Sequence, residues 1–121
     1  MPTVLIIEDV DDLRMILRVY FTRMGFEVLE APDGVEGIRL AHQEKPSLII
    51  TDLSMPYTGG DVVLGFIRST KHLKDIPVIV SSALPDSREI AERMGATACL
   101  PKPYNMEEFK AVLRKLNILP K

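Results

Sequence analysis

Cys99 is the single cysteine, so the chain has no internal disulfide and suits a reducing compartment. No apolar run approaches the roughly 18 residues that a membrane helix requires. The amino terminus has neither the basic segment nor the apolar stretch of an export signal. Positive charge is not in excess: 15 Lys and Arg face 17 Asp and Glu, a formal net charge of −2, and the basic residues are scattered. Direct nucleic-acid binding, which calls for a basic patch, is therefore not expected. Low-complexity segments and linkers are also missing. Together these absences lead us to expect a soluble, cytoplasmic protein with no membrane insertion. The two histidines, His42 and His72, fall in helix or loop positions and are expected as solvated surface residues.

What is present suits one globular domain. The 121 residues are 46% hydrophobic and 26% charged, enough apolar material for one core and too much for a disordered chain. The most telling stretch is Leu48-Ile49-Ile50-Thr51-Asp52, followed by Leu53-Ser54-Met55-Pro56. A short apolar run bounded by turn formers reads as a strand buried on both faces. Asp52 then sits where the strand leaves the sheet, and a carboxylate there needs a partner.

Similar runs recur along the chain. Val4–Ile7 ends in Glu8-Asp9. A helix capped by Asp11 carries Leu13, Ile16, Leu17, Tyr20, Phe21 and Met24 at helical spacing and stops at Gly25. A strand over Phe26–Glu30 leads to a helix capped by Asp33, which carries Val35, Ile38 and Ala41 and ends before Pro46. Gly59-Gly60 opens a helix bearing Val63, Leu64 and Ile67, and Val78-Ile79-Val80 forms a buried strand ending in Ser81-Ser82. A short helix capped by Asp86 carries Ile90, Ala91 and Met94, and Ala98–Leu100 leads to Lys102-Pro103. Asn105 and Glu108 then make a capping box before Phe109, Val112, Leu113 and Leu116. Five strand–helix alternations imply an α/β fold, a doubly wound five-stranded parallel sheet with helices on both faces. The usual strand order for such a sheet is 2-1-3-4-5.

In that architecture the carboxyl ends of the strands share one rim, where ligands bind. Glu8, Asp9, Asp52, Ser82 and Lys102 all fall there. Three clustered carboxylates repel unless a cation neutralises them, and hard oxygen ligands suit Mg²⁺. Nothing at this rim suits metals that prefer nitrogen or sulfur. Asp52 is the candidate nucleophile toward phosphorus, Lys102 the candidate positive charge for phosphoryl oxygens, and Ser82 the candidate hydrogen-bond donor.

The chain closely resembles the receiver domains of bacterial two-component response regulators, and more narrowly the single-domain chemotaxis type, a flavodoxin-like fold. The residues that carry the resemblance are Glu8-Asp9, Asp52 with Met55-Pro56 and Gly60, Ser82-Ala83, and Lys102-Pro103. The resemblance implies residues 1–121 as one receiver domain, phosphorylated on Asp52 by a sensor histidine kinase or histidine phosphotransfer protein. It implies Mg²⁺ held by Glu8 or Asp9, Asp52 and the backbone carbonyl of Ser54, and a cis Lys102–Pro103 bond. By the same resemblance, the protein is not an enzyme with an external substrate. It catalyses its own phosphorylation and dephosphorylation and signals by binding a downstream protein through the face of the fourth helix, fifth strand and fifth helix. Cys99 stands where relatives usually have an aromatic residue that turns during switching, and is read as an inert core thiol. Leu84 and Ser54 are expected to flank the path of water to the phosphoryl group, with Leu84 prolonging the phosphorylated state.

Two rivals fit less well. A Mg²⁺-dependent aspartyl phosphohydrolase would want a second acid where Ser54 stands, and a cap over the substrate. A flavodoxin-like cofactor binder would want a phosphate-cradling loop, but Glu8-Asp9-Val10-Asp11-Asp12 repels phosphate.

Overall fold

The computed structural model describes residues 1–53, 59–83 and 87–119. Strands β1 (Thr3–Ile7), β2 (Glu27–Ala31), β3 (Leu48–Asp52), β4 (Val78–Ser82) and β5 (Ala98–Pro101) alternate with five helices. These are α1 (Asp11–Arg23), α2 (Gly34–Glu44), α3 (Gly60–Ser69), α4 (Ser87–Arg93) and α5 (Met106–Lys115). The strands pair in parallel, as expected from the alternation, and their order is β2-β1-β3-β4-β5, the one usual for a doubly wound sheet of five strands.

Side chains alternate across each strand, so every strand feeds two cores. Val4 and Ile6 of β1, Leu48 and Ile50 of β3, and Ile79 of β4 pack against Leu17 and Phe21 of α1 and Phe109 and Leu113 of α5. Leu5, Ile7, Ile49, Val78 and Val80 pack on the other side against Ala41 of α2, Val63, Leu64 and Ile67 of α3, and Ala91 of α4. The three phenylalanines of the first core form an edge-to-face chain, with Phe21 5.3 Å from both Phe26 and Phe109 between ring centroids.

Several local expectations are corrected. Asp11 does not cap α1: the helix begins at Asp11, and Val10 occupies the cap position with no side-chain bond. The Asp11 carboxylate instead takes an N–H from Arg14 at 2.6 Å, and in the first turn it still faces the positive end of the helix dipole. Val35 is 65% exposed, Ile90 40% and Ile16 38%, so these residues point away from the core despite their helical spacing. The strand expected over Phe26–Glu30 begins and ends one residue later, at Glu27 and Ala31. Asp33 caps α2 by accepting the Glu36 N–H, and both bonds of the Asn105–Glu108 capping box are present. The proposed cap Asp86 lies outside the described residues.

Candidate functional site

The rim begins as a continuation of the sheet. On the α1/α5 side, Ile6 is followed two residues on by Glu8, Ile50 by Asp52, Ile79 by Ser81 and Leu100 by Lys102, so polar groups succeed apolar ones where the core meets solvent. The Lys102 ammonium donates to Glu8 Oε1 and to Asp52 Oδ2, each at 2.9 Å, joining residues 94 and 50 positions away in the chain. Glu8 is 2% exposed and Asp52 7%, and the Lys102 side chain is 15% exposed, so this triad is largely withdrawn from water. The Lys102–Pro103 peptide is cis, as the resemblance implied.

Burial pushes the Glu8 carboxyl above its ordinary value. The Lys102 ammonium and the Val10 N–H pull it down without cancelling that effect, and Asp9 beside it pushes it further up. For Lys102, burial alone would lower the pKa, but the hydrogen bonds it donates to Asp52 and Glu8 outweigh that and hold the ammonium above its usual range. Oxygens of Glu8, Asp9 and Asp52 lie within 4.8 Å of one another. One ammonium among three ionised carboxylates leaves an excess of two negative charges, which suits a divalent cation with oxygen ligands. Asp9 is the partly exposed member, while Glu8 is already held at Oε1 by Lys102 and at Oε2 by the Val10 N–H at 3.3 Å.

Two backbone features hold the carboxylates in place. The Arg14 guanidinium donates to the Glu8 carbonyl at 2.8 Å, tying α1 to the end of β1. At Gly60, the first residue of α3, a Cβ would lie 2.2 Å from the Asp52 carbonyl oxygen, so only glycine allows α3 to start against that strand end. Ser82, 1% exposed, ends β4, and its carbonyl accepts the Lys102 N–H at 3.0 Å. Alternation puts the Ser82 side chain on the strand face opposite Ser81. Ser54, Met55, Pro56 and Leu84 lie outside the described residues.

Sequence reasoning missed Arg14 and Tyr104. Tyr104 follows Lys102 by two positions, packs edge-to-face on Phe109 and shuts its hydroxyl away from solvent. No spacing rule singles out either residue. Tyr104 also lines an apolar cleft of about 430 Å³ beside the rim, together with Leu13, Ile16, Tyr20, Ala83 and Lys102. Cys99 is half-buried against the α2/α3/α4 core.

The sequence pattern of the response regulator receiver domain matches residues 4–114. The DNA-binding dual master transcriptional regulator RpaA of Synechocystis is 32% identical over 126 aligned positions, covering 99% of this chain and 52% of RpaA. The chain thus spans about half the length of that regulator. Among solved structures, the Vibrio cholerae chemotaxis protein CheY4 superposes with a TM-score of 0.88 at 27% identity, over 95% of this chain and 98% of CheY4. The receiver domain of the Pseudomonas aeruginosa sensor histidine kinase PA1611, described with a magnesium ion coordinated in its active site cleft, gives 0.86 at 23% identity. It covers 94% of this chain and 95% of its own, and at that identity it speaks for the fold alone. Since the matched pattern runs through every strand whose end contributes to the Glu8–Asp52–Lys102 triad, the chain belongs to the response regulator receiver domain family.

Proposed function

We propose that residues 1–121 act as one phosphorylation-controlled receiver in which Asp52 is the phosphoacceptor. The observation that carries this reading is the Lys102 ammonium bridging Glu8 and Asp52 at 2.9 Å to each, on a rim where a carboxylate is otherwise costly. An Asp52 oxygen attacks the phosphorus of a phosphohistidine. The P–N bond breaks, the imidazole leaves and takes up a proton, and an acyl phosphate remains on Asp52. Lys102 then exchanges its Asp52 contact for an oxygen of the attached phosphoryl group, and the Ser82 hydroxyl, at the last residue of β4 and one beyond the partner of Asp52, turns toward the group and donates to another. Asp9, Glu8, Asp52 and the Ser54 carbonyl are the proposed holders of Mg²⁺, which supplies positive charge to the phosphoryl oxygens when bound. Hydrolysis by in-line attack of water returns the carboxylate, so the domain promotes both its own loading and its own reset.

The phosphodonor is proposed to be a protein, a sensor histidine kinase or histidine phosphotransfer protein. The apolar cleft beside the rim runs onto exposed Met15, Ile16 and Val19 of α1, which gives a docking protein apolar surface next to the acceptor. A downstream protein reads the phosphorylated state, and the single reduced thiol suits the cytoplasm as working compartment. Incubation with acetyl phosphate and Mg²⁺ should add one phosphoryl group by intact mass, and none to Asp52→Asn. Labelling that persists in Asp52→Asn would overturn the assignment.

A further inference from the structure

The two histidines, 30 positions apart in sequence, meet. His72 Nε2 lies 3.1 Å from His42 Nδ1, with the ring centroids 4.8 Å apart and the planes at 62°. His42 sits in the last turn of α2, and His72 follows α3 in the turn that leads to β4. Both belong to the edge of the sheet where strands begin, the opposite end from the acidic rim. Both rings are exposed, so water could satisfy each nitrogen separately and solvation does not require the contact.

Their supports are firm. His42 directly follows Ala41 and His72 directly precedes Leu73, and both neighbours are fully buried in the same core cluster. The turn around His72 is closed by Leu73 N–H and Lys74 N–H donating to the Thr70 carbonyl, each at 2.9 Å. Two side chains on rigid, separate elements are therefore held with their nitrogens converging.

We propose that His42 and His72 form a surface chelate for a divalent transition metal of the zinc and nickel class. Imidazole nitrogen suits these ions, whereas Mg²⁺ selects oxygen. Two nitrogens bound at about 2.05 Å to a tetrahedral ion stand about 3.3 Å apart, a few tenths of an ångström from the spacing here. In the bound state both facing nitrogens are bare. Each ring then carries its proton on the far nitrogen, Nε2 of His42 and Nδ1 of His72. Exposure leaves the remaining coordination positions to water. The ion bridges α2 and the α3–β4 turn, elements joined only by folding, so it binds the folded chain in preference to the unfolded one.

The test titrates Zn²⁺ into the intact protein in excess Mg²⁺, which keeps the acidic rim occupied. One Zn²⁺ per chain is expected. His42→Ala and His72→Ala should each weaken it at least about ten-fold, since losing even an outer-shell partner of a ligand costs that much. Because the chain has only two histidines, their imidazole C–H proton resonances report the site directly, and both should move together with added Zn²⁺. Three results would overturn the proposal: no Zn²⁺ binding in excess Mg²⁺, wild-type affinity in both variants, or a response from one ring only. The Asp52 labelling experiment is independent of every one of these outcomes.

Discussion

Tyr104 brings a phenol into a buried position where neither its hydroxyl nor that of Ser81 makes a hydrogen bond among the described residues. Burial pushes the phenol up to about 12, with the Ser81 hydroxyl nearby easing it slightly the other way. The neutral form is thus favoured in the folded chain, against about 10 in the unfolded one. A raised folded value contributes stability that is complete below pH about 10 and is lost as pH climbs toward 12. Tyr104→Phe keeps the ring contact with Phe109 and removes the orphaned hydroxyl. It should raise stability by about 1 kcal/mol at neutral pH and flatten the loss in that alkaline window. Urea unfolding of both proteins across pH 8 to 11 checks this, and a destabilised Tyr104→Phe would show that the hydroxyl has a partner after all.

At the scale of elements, the start of α3 controls how Asp52 is presented. Gly60→Ala drives a Cβ into the Asp52 carbonyl, and backbone cannot swing aside as a side chain can. We expect a loss of about 3 kcal/mol, together with slower phosphorylation by acetyl phosphate. Gly65→Ala on the same helix meets nothing within 4 Å and should instead stabilise by about 0.5–1 kcal/mol through helix propensity. Opposite signs from two Gly→Ala changes five residues apart, read by denaturant unfolding, separate the close approach from the helix itself. The far end of α3 shows a related dependence on packing. Arg68 looks like an ordinary basic residue in a last turn, yet its guanidinium donates to the carbonyls of Gly95, Lys74 and Ile76 and to the Thr97 hydroxyl. Sequence periodicity has no access to such a contact, because its acceptors come from two separate loops, the one between α3 and β4 and the one between α4 and β5.

For the molecule as a whole, the acidic rim trades stability for chemistry. Glu8 has its pKa raised above 4.5 mainly by burial, so its contribution to stability is complete below that pH and is lost as pH rises through the folded value. A divalent cation offsets this loss only where the carboxylates are ionised. Mg²⁺ should therefore raise the melting temperature at pH 7 more than at pH 4.5. Asp9→Asn should stabilise the metal-free protein and shrink the Mg²⁺ effect. Scanning calorimetry at the two pH values decides the point, and a Mg²⁺ shift independent of pH would contradict the proposed site.

What the sequence by itself determined was local chemistry with a fixed period. Short apolar runs dictated the strands and apolar residues at helical spacing the helices, Asp33 and Asn105 dictated caps, and polar residues directly after apolar runs marked the rim. Those signals are legible because each depends on residues within a turn or a strand of one another. The tertiary structure alone decided that Lys102 clasps Glu8 and Asp52 together, that Gly60 lies against the Asp52 carbonyl, and that Val35 and Ile16 face outward. It alone also turned two seemingly unrelated surface histidines into a converging pair. The physical reason is the same in each case: these are distances between elements, set by how two cores pack on opposite faces of one sheet, and no short-range period encodes them.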